Sequence, residues 1–192
     1  MHCAAKRGLL AVAMVVGSAA MANADILIFT ANLDGLSEAP PNASPGTGSS
    51  TVTIDTTLNT MRVQASFSGL LAGVSASHIH AATATPLTGT AGVATQTPTF
   101  SGFPLGVTSG VYDQTFDMTL ASSFNASYIT AQGGTPASAF AALTAAMTQG
   151  RAYLNIHSSA FPGGEIRGFL VPTPGGLSLL GIAGIAAVRR KR

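Results

Sequence analysis

The chain has 192 residues, nine basic and seven acidic, with 46% hydrophobic content, one cysteine and no tryptophan. Six of the nine bases lie at the two ends, so the stretch from Asp25 to Val171 holds three arginines against seven acids, a net of −4. Such a middle cannot neutralise a phosphate backbone, which excludes nucleic-acid binding; its alanine is scattered among Thr, Ser and Gly, which excludes a multi-span membrane protein, and its low charge and apolar alternation exclude extended disorder.

Residues 1–24 read as a secretory signal peptide. Lys6 and Arg7 form the positive start, and Gly8 to Met21 form an apolar stretch too short to span a bilayer comfortably. Ala22-Asn23-Ala24 places small residues where signal peptidase reads, predicting cleavage between Ala24 and Asp25. Cys3 leaves with that segment, so the exported protein has no disulfide and depends on an ordinary hydrophobic core.

Residues 25–170 carry the period-2 alternation of β-strands. Ile26 and Ile28, with Ala31, begin the first strand. Val52 and Ile54 alternate with threonines, and Met61, Val63, Ala65 and Phe67 alternate with polar residues, predicting a hairpin around Thr56-Thr57-Leu58-Asn59. His78 and His80 sit two apart on a strand and so leave the same face. Tyr112, Gln114, Phe116, Met118 and Leu120 predict a further strand. Pro40-Pro41, Pro45-Gly46 and Phe103-Pro104 mark loops. One short helix interrupts the pattern near 136–149: Thr135 suits its N-cap, Pro136 its first turn and Gly150 its stop.

Residues 151–157 and 165–171 pair on paper as the final hairpin. With His157 opposite Glu165, Asn155 faces Arg167 and Tyr153 faces Phe169, while Ile156 faces Ile166 and Leu154 faces Gly168. One face is then apolar and the other carries His, Glu, Asn and Arg; a one-residue slip would scramble both. The expected architecture is an all-β, antiparallel sandwich or barrel-like domain with that one helix.

Three segments of this domain carry a family resemblance. Ser77-His78-Ile79-His80-Ala81, Gly150 to His157 and Gly163-Gly164-Glu165-Ile166-Arg167-Gly168 resemble, in order, the signature of the CHRD domain, named from chordin and found in many secreted bacterial proteins. Leu33 to Pro41, including Glu38, is similar to the domain's opening motif, with Ala39 where Val is usual. The resemblance implies a β-rich extracellular module and marks Glu38, Asn155, Glu165 and Arg167 as its structural or binding residues.

The last 22 residues, 171–192, resemble the PEP-CTERM sorting signal of Gram-negative bacteria. Val171-Pro172-Thr173-Pro174 stands for Val-Pro-Glu-Pro, with Thr173 replacing the Glu; an apolar run follows at 175–188 and a basic tail at 189–192. This implies a membrane-spanning segment before processing, recognition by an exosortase-type enzyme, and a destination in the cell envelope or its matrix. A simple tail anchor is the alternative, and both place the middle of the chain outside the cytoplasm.

For chemistry, His78, His80 and His157, with Glu165 as a further donor, are the residue types of a Zn²⁺ or Cu²⁺ site. The alternative is that the imidazoles bond backbone groups and Glu165 pairs with Arg167 or His157, locking the sheet. The His-x-His and Gly-Gly-Glu-x-Arg pattern is also similar to part of copper/zinc superoxide dismutase, without its other ligands or its cysteine pair. No nucleophile elbow, paired acids or phosphate-cradling glycine loop occurs, so neither an enzyme nor a nucleotide cofactor is expected. Two readings follow: a non-catalytic structural or binding module of the envelope or matrix, meeting polysaccharide or another surface protein, and a metal-binding or redox domain using the histidines.

Overall fold

The computed structural model describes residues 26–173; the signal segment with Ala24 and Asp25, and the tail from Pro174 onward, lie outside them. Eight strands form one antiparallel sheet that curls into a half-barrel. In chain order they are β1 (Ile26–Asp34), β2 (Thr47–Asp55), β3 (Thr60–Ser68), β4 (Val74–Ala81), β5 (Gly110–Asp117), β6 (Ala152–Ser158), β7 (Ile166–Phe169) and β8 (Val171–Pro172). Across the sheet the order is β4-β6-β7-β1-β2-β3-β5, with β8 also on β1. Helices α1 (Ala126–Ala131) and α2 (Pro136–Thr148) lie between β5 and β6 in the chain.

The β2–β3 hairpin forms where the alternation places it. Val52 pairs with Val63 and Ile54 with Met61, and all four are buried. Its turn is set by Asp55, whose Oδ1 accepts from the Thr57 and Leu58 amides at 2.9 and 2.8 Å, and by Asn59 at φ +53°. Helix α2 starts at a capping box in which the Thr135 and Ser138 side chains satisfy each other's backbone amides. It packs on β4, β6 and β8 and buries Ala139, Phe140, Leu143 and Met147 in the core shared with Phe29, Leu33, Ile79, Leu154, Ile156 and Ile166.

Three expectations are corrected. On β1 the buried positions are Phe29, Ala31 and Leu33, while Ile26 is 41% exposed; the two outer isoleucines mimic a core face that begins one residue later. Strand β5 ends at Asp117, because the Asp117 carboxylate accepts from the Thr119 amide and hydroxyl and turns the chain. Met118 still reaches the core, but Gln114 and Leu120 are exposed. A second helix, α1, is capped by Asn125, whose Oδ1 accepts from the Ser127 amide at 3.1 Å. Among the described residues no helix is long and apolar enough to cross a membrane. The sheet runs past residue 170: Val171 and Pro172 pair with Thr30 and Phe29.

Candidate metal centre

Strand order and pleat together build the centre. His78 and His80 flank the buried Ile79 on β4, and Tyr153, Asn155 and His157 alternate with the buried Leu154 and Ile156 on β6. The two strands are antiparallel neighbours with His78 opposite Asn155 and His80 opposite Tyr153, so all five side chains leave the face turned away from the core. His157 closes the group, its ring centroid 5.2 Å from that of His78 and 6.0 Å from that of His80. One ring nitrogen from each histidine lies within 4.8 Å of those of the other two.

The hydrogen bonds fix which nitrogens remain free. His78 Nε2 meets the Pro98 carbonyl at 2.5 Å, His80 Nδ1 the Ala91 carbonyl at 2.9 Å, and His157 Nδ1 the Pro162 carbonyl at 2.9 Å. A carbonyl oxygen only accepts, so each of these ring nitrogens carries the hydrogen and donates it. In a neutral ring the other nitrogen then presents a lone pair. Those three atoms, His78 Nδ1, His80 Nε2 and His157 Nε2, are buried and have no hydrogen-bond partner. Burial also keeps the rings neutral. It lowers the pKa of all three, and His80, which has the other two imidazoles and the Arg167 charge nearby as well, falls to about 4.

The remaining candidate residues form a second layer. Asn155 sits between His78 on β4 and Arg167 on β7 in one transverse row. Its Nδ2 donates to both Glu38 carboxylate oxygens, at 3.0 and 3.3 Å. Arg167 Nε donates to the Ser37 carbonyl and lies 3.9 Å from Glu38 Oε2. The Arg167 guanidinium carbon is 4.6 Å from the centre of the Tyr153 ring, and Tyr153 stacks on His80 at 4.8 Å with the planes 6° apart. Burial raises the Glu38 carboxyl to about 7, against the lowering pull of Arg167 and its hydrogen bonds.

The final hairpin keeps its expected register, with Tyr153 opposite Phe169, Asn155 opposite Arg167 and Ile156 opposite Ile166. The side chain of Glu165 goes elsewhere. It is fully buried, and its Oε1 accepts from the Ser44 hydroxyl and the Leu71 amide, both at 2.6 Å. The expected pairing of Glu165 with Arg167 or His157 is replaced by these loop contacts, because Glu165 precedes β7 and is not bound by its alternation. Arg167 takes Glu38 instead. Sequence reasoning did not find Tyr153, Ser44 or the Leu71 amide as partners, since each contact joins segments far apart in the chain.

The CHRD domain family matches residues 29–170. The chain belongs to the CHRD family. No curated protein and no solved structure matches it. Within this CHRD domain the matched stretch contains the three histidines and the whole Glu38–Asn155–Arg167 layer.

Proposed function

We infer that this CHRD protein is an exported, non-catalytic surface module that binds a transition-metal ion through His78, His80 and His157. One observation carries the reading: three imidazoles, each anchored by a backbone carbonyl, form one close cluster and each keeps a buried ring nitrogen without a partner. Leaving a buried acceptor unpaired costs about 1–3 kcal/mol per group, and a metal ion satisfies all three at once. Ring N–H groups held by carbonyls are the outer-shell arrangement that orients metal-binding histidines. Imidazole nitrogens suit Zn or Cu, and three protein ligands leave a fourth position open. Bonds of about 2.0–2.1 Å require the three nitrogens to draw closer together than 4.8 Å, so binding tightens the β4–β6 edge.

The ends of the chain support the setting. The pattern of 1–24 is that of a substrate for signal peptidase, and 171–192 has the three parts of a sorting segment read by an exosortase-type enzyme at the membrane. The module then resides in the envelope or its matrix, where polysaccharide or another surface protein is its neighbour. Metal analysis of the tag-free full chain after dialysis against Zn²⁺, Cu²⁺ or, anaerobically, Cu⁺ tests the central claim. One equivalent per chain is expected, lost in His80→Ala. Less than a tenth of an equivalent of every one of these ions, with melting unchanged by chelator, overturns it.

A further inference from the structure

The charge around the histidines decides which ion suits them. The three donors are neutral, and among the described residues no carboxylate belongs to the cluster. Glu165, the nearest acid in sequence to Arg167 on that hairpin, is turned onto Ser44 and Leu71. Among the described residues there is no cysteine to supply a thiolate. A full positive charge stands behind the cluster: the Arg167 guanidinium lies against Tyr153, which lies against His80. In the strand order β4-β6-β7, Tyr153 stands between His80 and the Arg167 side of the sheet. Glu38, the counter-charge of Arg167, is buried and accepts from Asn155 on its other side. Asp34, opposite Arg167 on β1, turns its Oδ1 to the Ser37 amide at 2.7 Å.

A metal entering this site therefore gains no ligand anion and meets an added positive charge. In a partly buried setting that penalty rises with the charge of the ion, and a dication suffers it twice over. We propose that the three-histidine centre is built for cuprous copper in preference to Zn²⁺ and Cu²⁺, and that Arg167 is the positioning residue that sets this preference through Tyr153 and His80. The inference rests on the metal-site reading above. It adds two things to it, the charge of the ion and a role for an arginine that touches no ligand atom. Three imidazoles satisfy a low-coordinate monovalent ion without a fourth donor, whereas a dication there completes its shell with water or an anion.

The test uses the tag-free full chain and three probes: Cu⁺ under anaerobic ascorbate with bicinchoninate as competitor, Cu²⁺, and Zn²⁺, each titrated separately. Cu⁺ is expected to bind tightest. Arg167→Gln is expected to lower the ratio of Cu⁺ to Cu²⁺ affinity by about tenfold, Arg167→Lys to keep it, and Glu38→Gln, which removes the counter-charge, to move it the other way. A folding defect alone would weaken both copper ions alike and leave the ratio unchanged. If Zn²⁺ or Cu²⁺ binds as tightly as Cu⁺, the inference is overturned while the metal site stands. If the ratio is the same in the Gln variants of both residues, the role of Arg167 is overturned. If none of the three ions binds, the site itself fails.

Discussion

At the scale of single residues, Gly164 and Glu38 hold the layer behind the histidines. Gly164 has φ +132°, and a Cβ there would lie 2.5 Å from Asn155 Nδ2 and 2.7 Å from Glu38 Oε1. Gly164→Ala should therefore cost at least about 2 kcal/mol in urea unfolding, combining backbone strain with displacement of the Glu38–Asn155 bond. Glu38 gives the domain a pH dependence of defined sign. Its folded-state carboxyl titrates near 7, above the ordinary 4.5. A raised folded value means that the stabilisation is complete below about 4.5 and is lost as the pH rises through 7. The stability difference between wild type and Glu38→Gln should fall by about 3 kcal/mol between pH 4.5 and 7.5. Denaturant melts of both proteins across that range measure it, and a flat difference would show that Arg167 and Asn155 keep the carboxylate ionised. Glu38 was visible in the sequence as part of a motif, but its partners were not, because Asn155 and Arg167 join it across more than 110 positions.

At the scale of elements, the β6–β7 hairpin separates core from polar layer. Ile166→Ala empties a fully buried site opposite Ile156 and should cost about 2–5 kcal/mol. Glu165→Ala acts differently. It leaves the Leu71 amide and the Ser44 hydroxyl without their acceptor and should cost about 1–3 kcal/mol without loss of metal. Thermal melts with metal analysis on both variants check the pair of expectations; metal loss in Glu165→Ala would return that carboxylate to the ligand set. The register of this hairpin was legible because its two faces differ in polarity at every step. The helix α2 was legible from Thr135, Pro136 and Gly150. Strand β1 was misread by its outer isoleucines, and α1 was missed because six residues give too little periodicity to weigh against a loop.

At the scale of the whole molecule, metal binding should appear as added stability. An ion that binds only the folded chain contributes about 2.7 kcal/mol at a hundredfold excess over its dissociation constant. Calorimetry should show a melting temperature that rises with metal in the wild type and stays fixed in His80→Ala. Export makes a separate expectation: intact-mass measurement of the exported protein should place its N-terminus at Asp25, and a start at Met1 would contradict cleavage.

The sequence by itself determined the class of the domain, the place of its β2–β3 hairpin, the register of its final hairpin and the family motifs, since all of these rest on local alternation and short spacings. Only the tertiary structure decided which ring nitrogens are bonded and which are left free. That depends on the carbonyls of Pro98, Ala91 and Pro162, each supplied by a loop whose path no periodicity encodes. It also decided that Glu165 leaves the polar face for Ser44 and Leu71 while Glu38 arrives from the first loop to meet Arg167. Buried charge must find partners wherever the fold brings them, and those partners are set by the packing of distant segments rather than by neighbours along the chain.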